Sequence, residues 1–209
     1  MNHPPFISLD GIDGTGKSTQ LRLLASWLEA RGWRVTCCAD PGGTQLGDQI
    51  RDILLHRRHE MSPMAEALLF MASRAELLAH VIRPALESGF LVLCDRYLLA
   101  NVVYQGHGGG LDVDSLWKMG RIAAGRLEPD LTIVLDLPIK QARQRRGRAA
   151  DRLESRELSF HERVRQGFLI EARKLPDTVR VVDASPEVNE VHARICEEVE
   201  RVLAARSRP

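Results

Sequence analysis

The stretch Phe6-Ile7-Ser8-Leu9-Asp10-Gly11-Ile12-Asp13-Gly14-Thr15-Gly16-Lys17-Ser18-Thr19 constrains this chain more than any other, because it joins an apolar strand to a helix through a glycine-rich turn. Gly11, Gly14 and Gly16 permit backbone angles that a Cβ forbids, so successive N–H groups can converge on one anion. The helix that begins at Lys17 adds unpaired N-terminal donors and the positive end of its dipole. Gly11, Gly16, Lys17 and Ser18 fill the fixed places of G-x-x-x-x-G-K-[ST], in which the lysine meets the β- and γ-phosphates and the hydroxyl meets Mg2+. Leu21, Leu24, Ala25 and Leu28 follow at helical spacing, the context the motif requires. The stretch implies a nucleoside triphosphate and Mg2+. It does not say which chemistry follows.

The rest of the chain alternates strands with helices. Val35 to Cys38, Phe90 to Cys94, Leu131 to Leu135 and Val179 to Val182 are short apolar runs, separated by helical patterns. Such alternation predicts an α/β fold of the P-loop kind: a five-stranded parallel sheet between helical layers, in one domain spanning residues 1–209. Ser62-Pro63 predicts a helix start, and the helix should run to about Ile82 before Pro84 disturbs it. Tyr104 to Gly110 reads as a loop, and Asp112 as the cap of the next helix. Gly147 to about Ser155 is polar and is expected to stay out of the core.

Composition narrows the partners. Net charge is +1 over 209 residues, which argues against nucleic acid or an anionic membrane as the main partner. Cys37, Cys38, Cys94 and Cys196 form no C-x-x-C pair and no zinc-ligand spacing; they read as buried thiols in a reducing compartment. No apolar run approaches membrane-spanning length, and the first strand starts too early for a signal peptide, so a cytoplasmic location is expected.

Several polar residues fall where chemistry could use them. Asp95 ends a strand as an acidic partner of Mg2+ would, or caps a turn; Arg96 beside it offers a donor fork for a phosphate. Phe70 and Arg74 are four apart on one helix and can present a stacking plane and a hydrogen-bonding head to one planar ligand, although an aromatic at that spacing also suits a core. Arg143, Arg145, Arg146, Arg148 and Arg152 crowd a segment with few acids, as a solvated face or as a mobile lid at about 145–156. No histidine sits in a recognisable nucleophile motif. A phosphate acceptor would need no general base, since its second pKa is about 6.

Together the phosphate loop, Asp40-Pro41-Gly42-Gly43-Thr44, Leu69-Phe70-Met71-Ala72-Ser73-Arg74, Asp95-Arg96-Tyr97 and Tyr104-Gln105-Gly106, in this order, resemble the bacterial thymidylate kinases from Phe6 to the last helix. The resemblance implies transfer of the γ-phosphate of ATP to dTMP, giving dTDP, in a homodimer. It places Gly11, Ile12, Asp13, Gly14, Thr15, Gly16, Lys17, Ser18 and Thr19 on ATP, and Ser18 and Asp95 on Mg2+. It places Phe70 on thymine, Arg74, Asn101 and Gln105 on the base edge, Tyr104 against the sugar, Asp13 towards the acceptor, and Arg51 and Arg96 on the acceptor phosphate. Lys17, Arg96, Arg148 and Arg152 would carry the catalytic charge, with Arg145 also in the lid, because Gly14 stands where some relatives have a loop arginine. Asp183-Ala184-Ser185-Pro186 resembles the loop that borders adenine. Departures are Ala39-Asp40 in place of Arg-Glu, and Ala100 in place of a hydroxyl residue. The competing expectations are a kinase for another nucleoside monophosphate or for a deoxynucleoside, and a non-catalytic ATP-dependent binding protein; the lack of an N-K-x-D stretch weakens a GTP switch.

Overall fold

Phe6–Asp10, Leu91–Asp95 and Leu131–Asp136 are apolar along almost their whole length, which only a sheet covered on both faces accommodates. The computed structural model describes residues 4–56, 61–145, 152–154 and 156–206. In it β1 (Phe6–Asp10) is central, flanked by β3 (Leu91–Asp95) and β4 (Leu131–Asp136), with β2 (Val35–Ala39) and β5 (Val179–Asp183) at the edges. All four pairings are parallel, in the order β2-β3-β1-β4-β5. The helices in chain order are α1 (Lys17–Glu29), α2 (Gln45–Leu55), α3 (Pro63–Leu77), α4 (Arg83–Glu87), α5 (Leu98–Asn101), α6 (Val113–Ala123), α7 (Ile139–Arg145), α8 (Leu158–Lys174) and α9 (Val188–Arg206).

Alternation along β1 builds two cores. Ile7 and Leu9 pack with Leu24 and Leu28 of α1 and with Val191, Ile195 and Val199 of α9. Phe6 points the other way, edge-on to Tyr97 at 4.9 Å, among Ala67 and Met71 of α3 and Leu116 of α6. Each fully buried leucine contributes about 1.5–3 kcal/mol, so the two stripes hold the helical layers to the sheet. Local signals agree with the packing: Ser62 accepts from Ala65 N at 3.2 Å ahead of Pro63, and Asp112 accepts from Ser115 N at 2.8 Å. All five strands end in, or run straight into, an aspartate: Asp10, Asp40, Asp95, Asp136 and Asp183. Their carboxyl ends form the edge where parallel α/β sheets bind ligands. No helix among the described residues is long and apolar enough to cross a membrane.

Four expectations are corrected. Tyr104 to Gly110 is not an open loop: Val102–Gly108 is a buried π-helical turn continuing α5. Gly106 and Gly108 allow this, since a Cβ on Gly108 would lie 2.7 Å from Phe160 and Val164 of α8, and close packing overrides a loop-like composition. The helix does not stop at about Ile82 but continues through Pro84 to Glu87. The preceding Leu78–Ile82 widens into a π turn, which absorbs the missing N–H before α4 resumes the helix. Leu153 and Glu154 are buried, because Leu153 completes a small cluster with Ile50, Leu54 and Phe70. Cys37 is exposed and Cys38 half-buried, since β2 is an edge strand; Cys94 and Cys196 are buried as expected.

The π-helical turn rests on α8 with no room to spare, as a Cβ on Gly167 would lie 2.6 Å from His107 Cβ. Gly167→Ala should gain about 1 kcal/mol of helix propensity but lose more to overpacking, up to about 3 kcal/mol. We expect a net drop in Tm of roughly 2–8 °C by calorimetry. An unchanged or raised Tm would show that this contact yields freely.

Candidate active site

At the carboxyl edge of the sheet a single cleft of about 760 Å³ runs from the phosphate loop to the π-helical turn. One end is lined by Asp13 to Gln20, Arg145 and Pro186 to Val188; the other by Asp40, Pro41, Arg51, Phe70, Arg74, Asn101, Tyr104 and Gln105. Asp95 and Arg96 line it as well. Sequence reasoning therefore named residues that the fold gathers into one space.

The loop end is built as the motif demands. Gly14 has φ +89°, and a Cβ there would sit 2.0 Å from Ala142 O of α7, so only glycine fits. Gly16 takes φ +94° as the cap of α1. Thr15 Oγ1 donates to Ile12 O at 2.9 Å. Lys17 Nζ spans the loop, donating to Gly11 O at 3.1 Å and Ile12 O at 2.9 Å, and lies 3.9 Å from Asp13. Burial and the Arg96 cation push its pKa down. Ser18 Oγ donates to Asp95 Oδ2 at 2.9 Å, which brings two hard oxygen donors together beside the phosphate cradle. Such a pair suits Mg2+, which takes few protein oxygens and completes its shell with water and phosphate.

Arg96 joins the two ends. It leaves β3 with φ +70°, a left-handed conformation that a non-glycine residue holds only against its preference. Its guanidinium donates to Gly11 O at 2.8 Å, Asp13 Oδ1 at 2.6 Å and Tyr104 Oη at 3.2 Å, while Tyr104 donates to Asp13 Oδ2 at 3.1 Å. Burial works against the charge on Asp13, yet the Arg96 and Lys17 cations and these hydrogen bonds hold its carboxyl well below the usual range.

The far end is a wall of buried hydrogen-bonding groups. Arg74, only 1% exposed, donates from Nε to Asp40 Oδ2 at 2.6 Å and from Nη1 to Asn101 Oδ1 at 3.1 Å. Asn101 Nδ2 donates to Gln105 Oε1 at 2.8 Å, and Arg51 Nη1 donates to Pro41 O at 2.6 Å, beside the cis Asp40–Pro41 peptide. Phe70 packs against Ile50, Leu54 and Leu153 and also lines the cleft.

Of the arginines expected in a lid, Arg145 and Arg152 are among the described residues. Arg145 donates to Ala184 O at 2.6 Å and Ser185 O at 2.9 Å, on the loop after β5 rather than over the phosphate loop. Arg152 does not line the cleft; it donates to Leu54 O at 2.7 Å and pairs with Glu66 of α3. The physical reason is burial: Leu153 is drawn into the apolar cluster on α2 and α3, and the neighbouring arginine meets the buried carboxylate of Glu66. Arg148 and Arg146 lie outside the described residues.

Comparison with known proteins decides the family. The family model described as thymidylate kinase matches residues 9–195. The chain is 47% identical to the thymidylate kinase of Symbiobacterium thermophilum over 97% of this chain and 96% of that protein. It is 48% identical to that of Rhodopirellula baltica, over 89% and 76% of the two chains. The crystal structure of thymidylate kinase from Ehrlichia chaffeensis superposes with a TM-score of 0.78 at 29% identity, covering 95% of this chain and 99% of that one. This chain belongs to the thymidylate kinase family.

Within that thymidylate kinase framework, sequence reasoning gave no role to three buried side chains. Glu66, Phe70 and Arg74 are successive fourth residues on α3, a stripe that pointed to Glu66 had it been extended one turn. Asp40 was noted in the Asp40-Pro41-Gly42-Gly43-Thr44 stretch and as a departure from Glu, and its carboxylate reaches Arg74. Asp10 was quoted only as part of the phosphate-loop motif. It is fully buried at the end of β1, with no hydrogen-bond partner for either oxygen among the described residues. Burial raises its pKa to about 7 from 3.8, against the pull of Arg96 and Lys17. In the unfolded chain it ionises near 3.8 while in the fold it keeps its proton to about 7, so stability falls as pH rises through that window. Asp10→Asn keeps the shape and removes the titration. The Tm of the variant relative to the parent should therefore climb between about pH 4 and 7 and level off above; a constant difference would mean that Asp10 does not titrate there.

Proposed function

We infer that this chain transfers the γ-phosphoryl group of ATP to dTMP, giving dTDP. The observation that carries this is the single cleft, in which a nucleoside-triphosphate cradle and a buried wall of Phe70, Arg74, Asn101 and Gln105 are bridged by Arg96 and Asp13. Gly11 to Thr19 hold the donor phosphates, with Lys17 supplying the cation at their end. Ser18 and Asp95 hold Mg2+, which supplies charge neutralisation between the phosphates when bound. Phe70 stacks on the base, Arg74 and Asn101 read its edge, and Tyr104 lies against the sugar. Arg51 and Arg96 hold the acceptor phosphate by their guanidinium forks.

No histidine lines the cleft among the described residues. None is required, because a phosphate monoester with a second pKa of about 6 is already an anionic nucleophile near neutral pH. Catalysis then consists of positioning two anions and neutralising the charge between them. The reading extends to a cytoplasmic homodimer. Met64 and Leu68 on α3 and Ile122 on α6, helices that pack on one another, are exposed apolar side chains of the kind a subunit interface covers.

The deciding experiment is ADP release from Mg·ATP with dTMP, dUMP, UMP, dCMP, dGMP or thymidine added singly. Strong stimulation by dTMP, with dTDP as product, is expected; stimulation by another acceptor instead, or by none, overturns the assignment. Lys17→Ala should lose about 10³-fold or more in kcat, as for other cations that act on a transferring phosphoryl group. Phe70→Ala should raise the KM for dTMP and spare that for ATP, since base stacking is worth about 1–3 kcal/mol. Equal loss for both substrates would remove Phe70 from the acceptor site.

A further inference from the structure

Behind the acceptor wall a continuous chain of hydrogen bonds leads away from the cleft. Arg74 donates to Asn101 Oδ1, Asn101 Nδ2 to Gln105 Oε1, and Gln105 Nε2 to Glu66 Oε1 at 3.0 Å. Glu66 Oε2 is held by Arg152 and, at 2.7 Å, by Arg156, whose guanidinium also lies over the Phe160 ring at 4.6 Å. Arg74, Asn101, Gln105 and Glu66 are all buried.

This chain has a direction, and its two ends set it. A guanidinium can only donate and a carboxylate can only accept, whereas each amide between them could present either group to either side. With Arg74 at one end and Glu66 at the other, both amides have one satisfied orientation. We propose that Glu66, which does not line the cleft, is a positioning residue that fixes the polarity of Asn101 and Gln105 and thereby the choice between pyrimidine bases. This rests on the acceptor pocket proposed above.

The polarity matters because the wall shows Arg74 donors beside the Asn101 carbonyl oxygen. Thymine carries an exocyclic O4 acceptor next to a ring N–H; cytosine carries an exocyclic N4–H2 donor next to a bare ring nitrogen. The first matches donor beside acceptor. The second sets N4–H2 against the Arg74 donors and its bare ring nitrogen against the Asn101 oxygen; turning the amides over would remove the second of these clashes and with it part of the discrimination. Arg152 and Arg156 make the orientation hard to reverse, since two cations next to Glu66 demand an oxygen there.

The test follows from that demand. In Glu66→Gln the two arginines should claim the new amide oxygen and turn its NH2 towards Gln105. The chain then runs backwards until Asn101 meets Arg74 donor to donor. We expect kcat/KM for dTMP to fall about tenfold or more, the KM for ATP to stay unchanged, and discrimination between dTMP and dCMP to fall by a similar factor. The exchange Glu66→Gln with Gln105→Glu restores an acceptor for Asn101 Nδ2 and should recover the discrimination. A general loss of packing would produce neither the change in base preference nor its recovery.

Unchanged discrimination in Glu66→Gln, or no recovery in the exchange, overturns the proposal. Should the single variant fail to fold, as judged by Tm, the exchange alone carries the test, and loss of discrimination in it is the overturning result. The parallel Phe70→Ala measurement separates the two levels. If Phe70→Ala raises the KM for dTMP while Glu66→Gln changes nothing, only the role of Glu66 falls; if Phe70→Ala leaves that KM alone, the pocket assignment falls and this proposal with it.

Discussion

The Arg96 guanidinium is the interaction on which the site depends. It is bound at once to a carbonyl of the phosphate loop, to an aspartate inside that loop and to a tyrosine of the π-helical turn. The first belongs to the β1–α1 connection and the last to the segment after β3, so one side chain ties the two ends of the cleft across the sheet edge. The left-handed backbone at Arg96 is the cost of aiming that side chain inward from the end of a strand. Charges so placed, in surroundings already stripped of water, need little reorganisation when phosphates arrive.

Burial acts in two directions around that cation. Asp13 touches Arg96 and keeps its charge; Asp10, three residues earlier, touches nothing that donates and keeps its proton to about pH 7. Lys17 lies between opposite influences, pushed towards neutrality by burial and by Arg96 and back towards charge by the nearby aspartates. Its protonation is set by a few close neighbours, so any charged group brought beside it shifts that balance.

Much of this was legible in the chain. Runs such as Leu131 to Leu135 are too apolar for anything but a doubly covered strand, and glycines at 11, 14 and 16 before Lys17-Ser18 leave few alternatives to a phosphate cradle. Local rules failed where long-range packing outweighed them. Gly106 and Gly108 suggest a loop by composition, but the missing side chain of Gly108 admits Phe160 and Val164, residues far off in sequence. Arg152 reads as one more cation in a charged run; its partnership with Glu66 depends on Leu153 finding Ile50 and Leu54 a hundred residues upstream. Glu66 itself stood one helical turn from the recognised pair Phe70 and Arg74, visible by spacing but mute about its partners.

The close approach of Ala142 O to Gly14 bears on how such a protein can change over time. An arginine at position 14 would have to displace the backbone of α7, so a cation cannot be added at that position without a shift of the helix above it. A packing distance of an ordinary kind thereby limits where in this loop a charge can be placed.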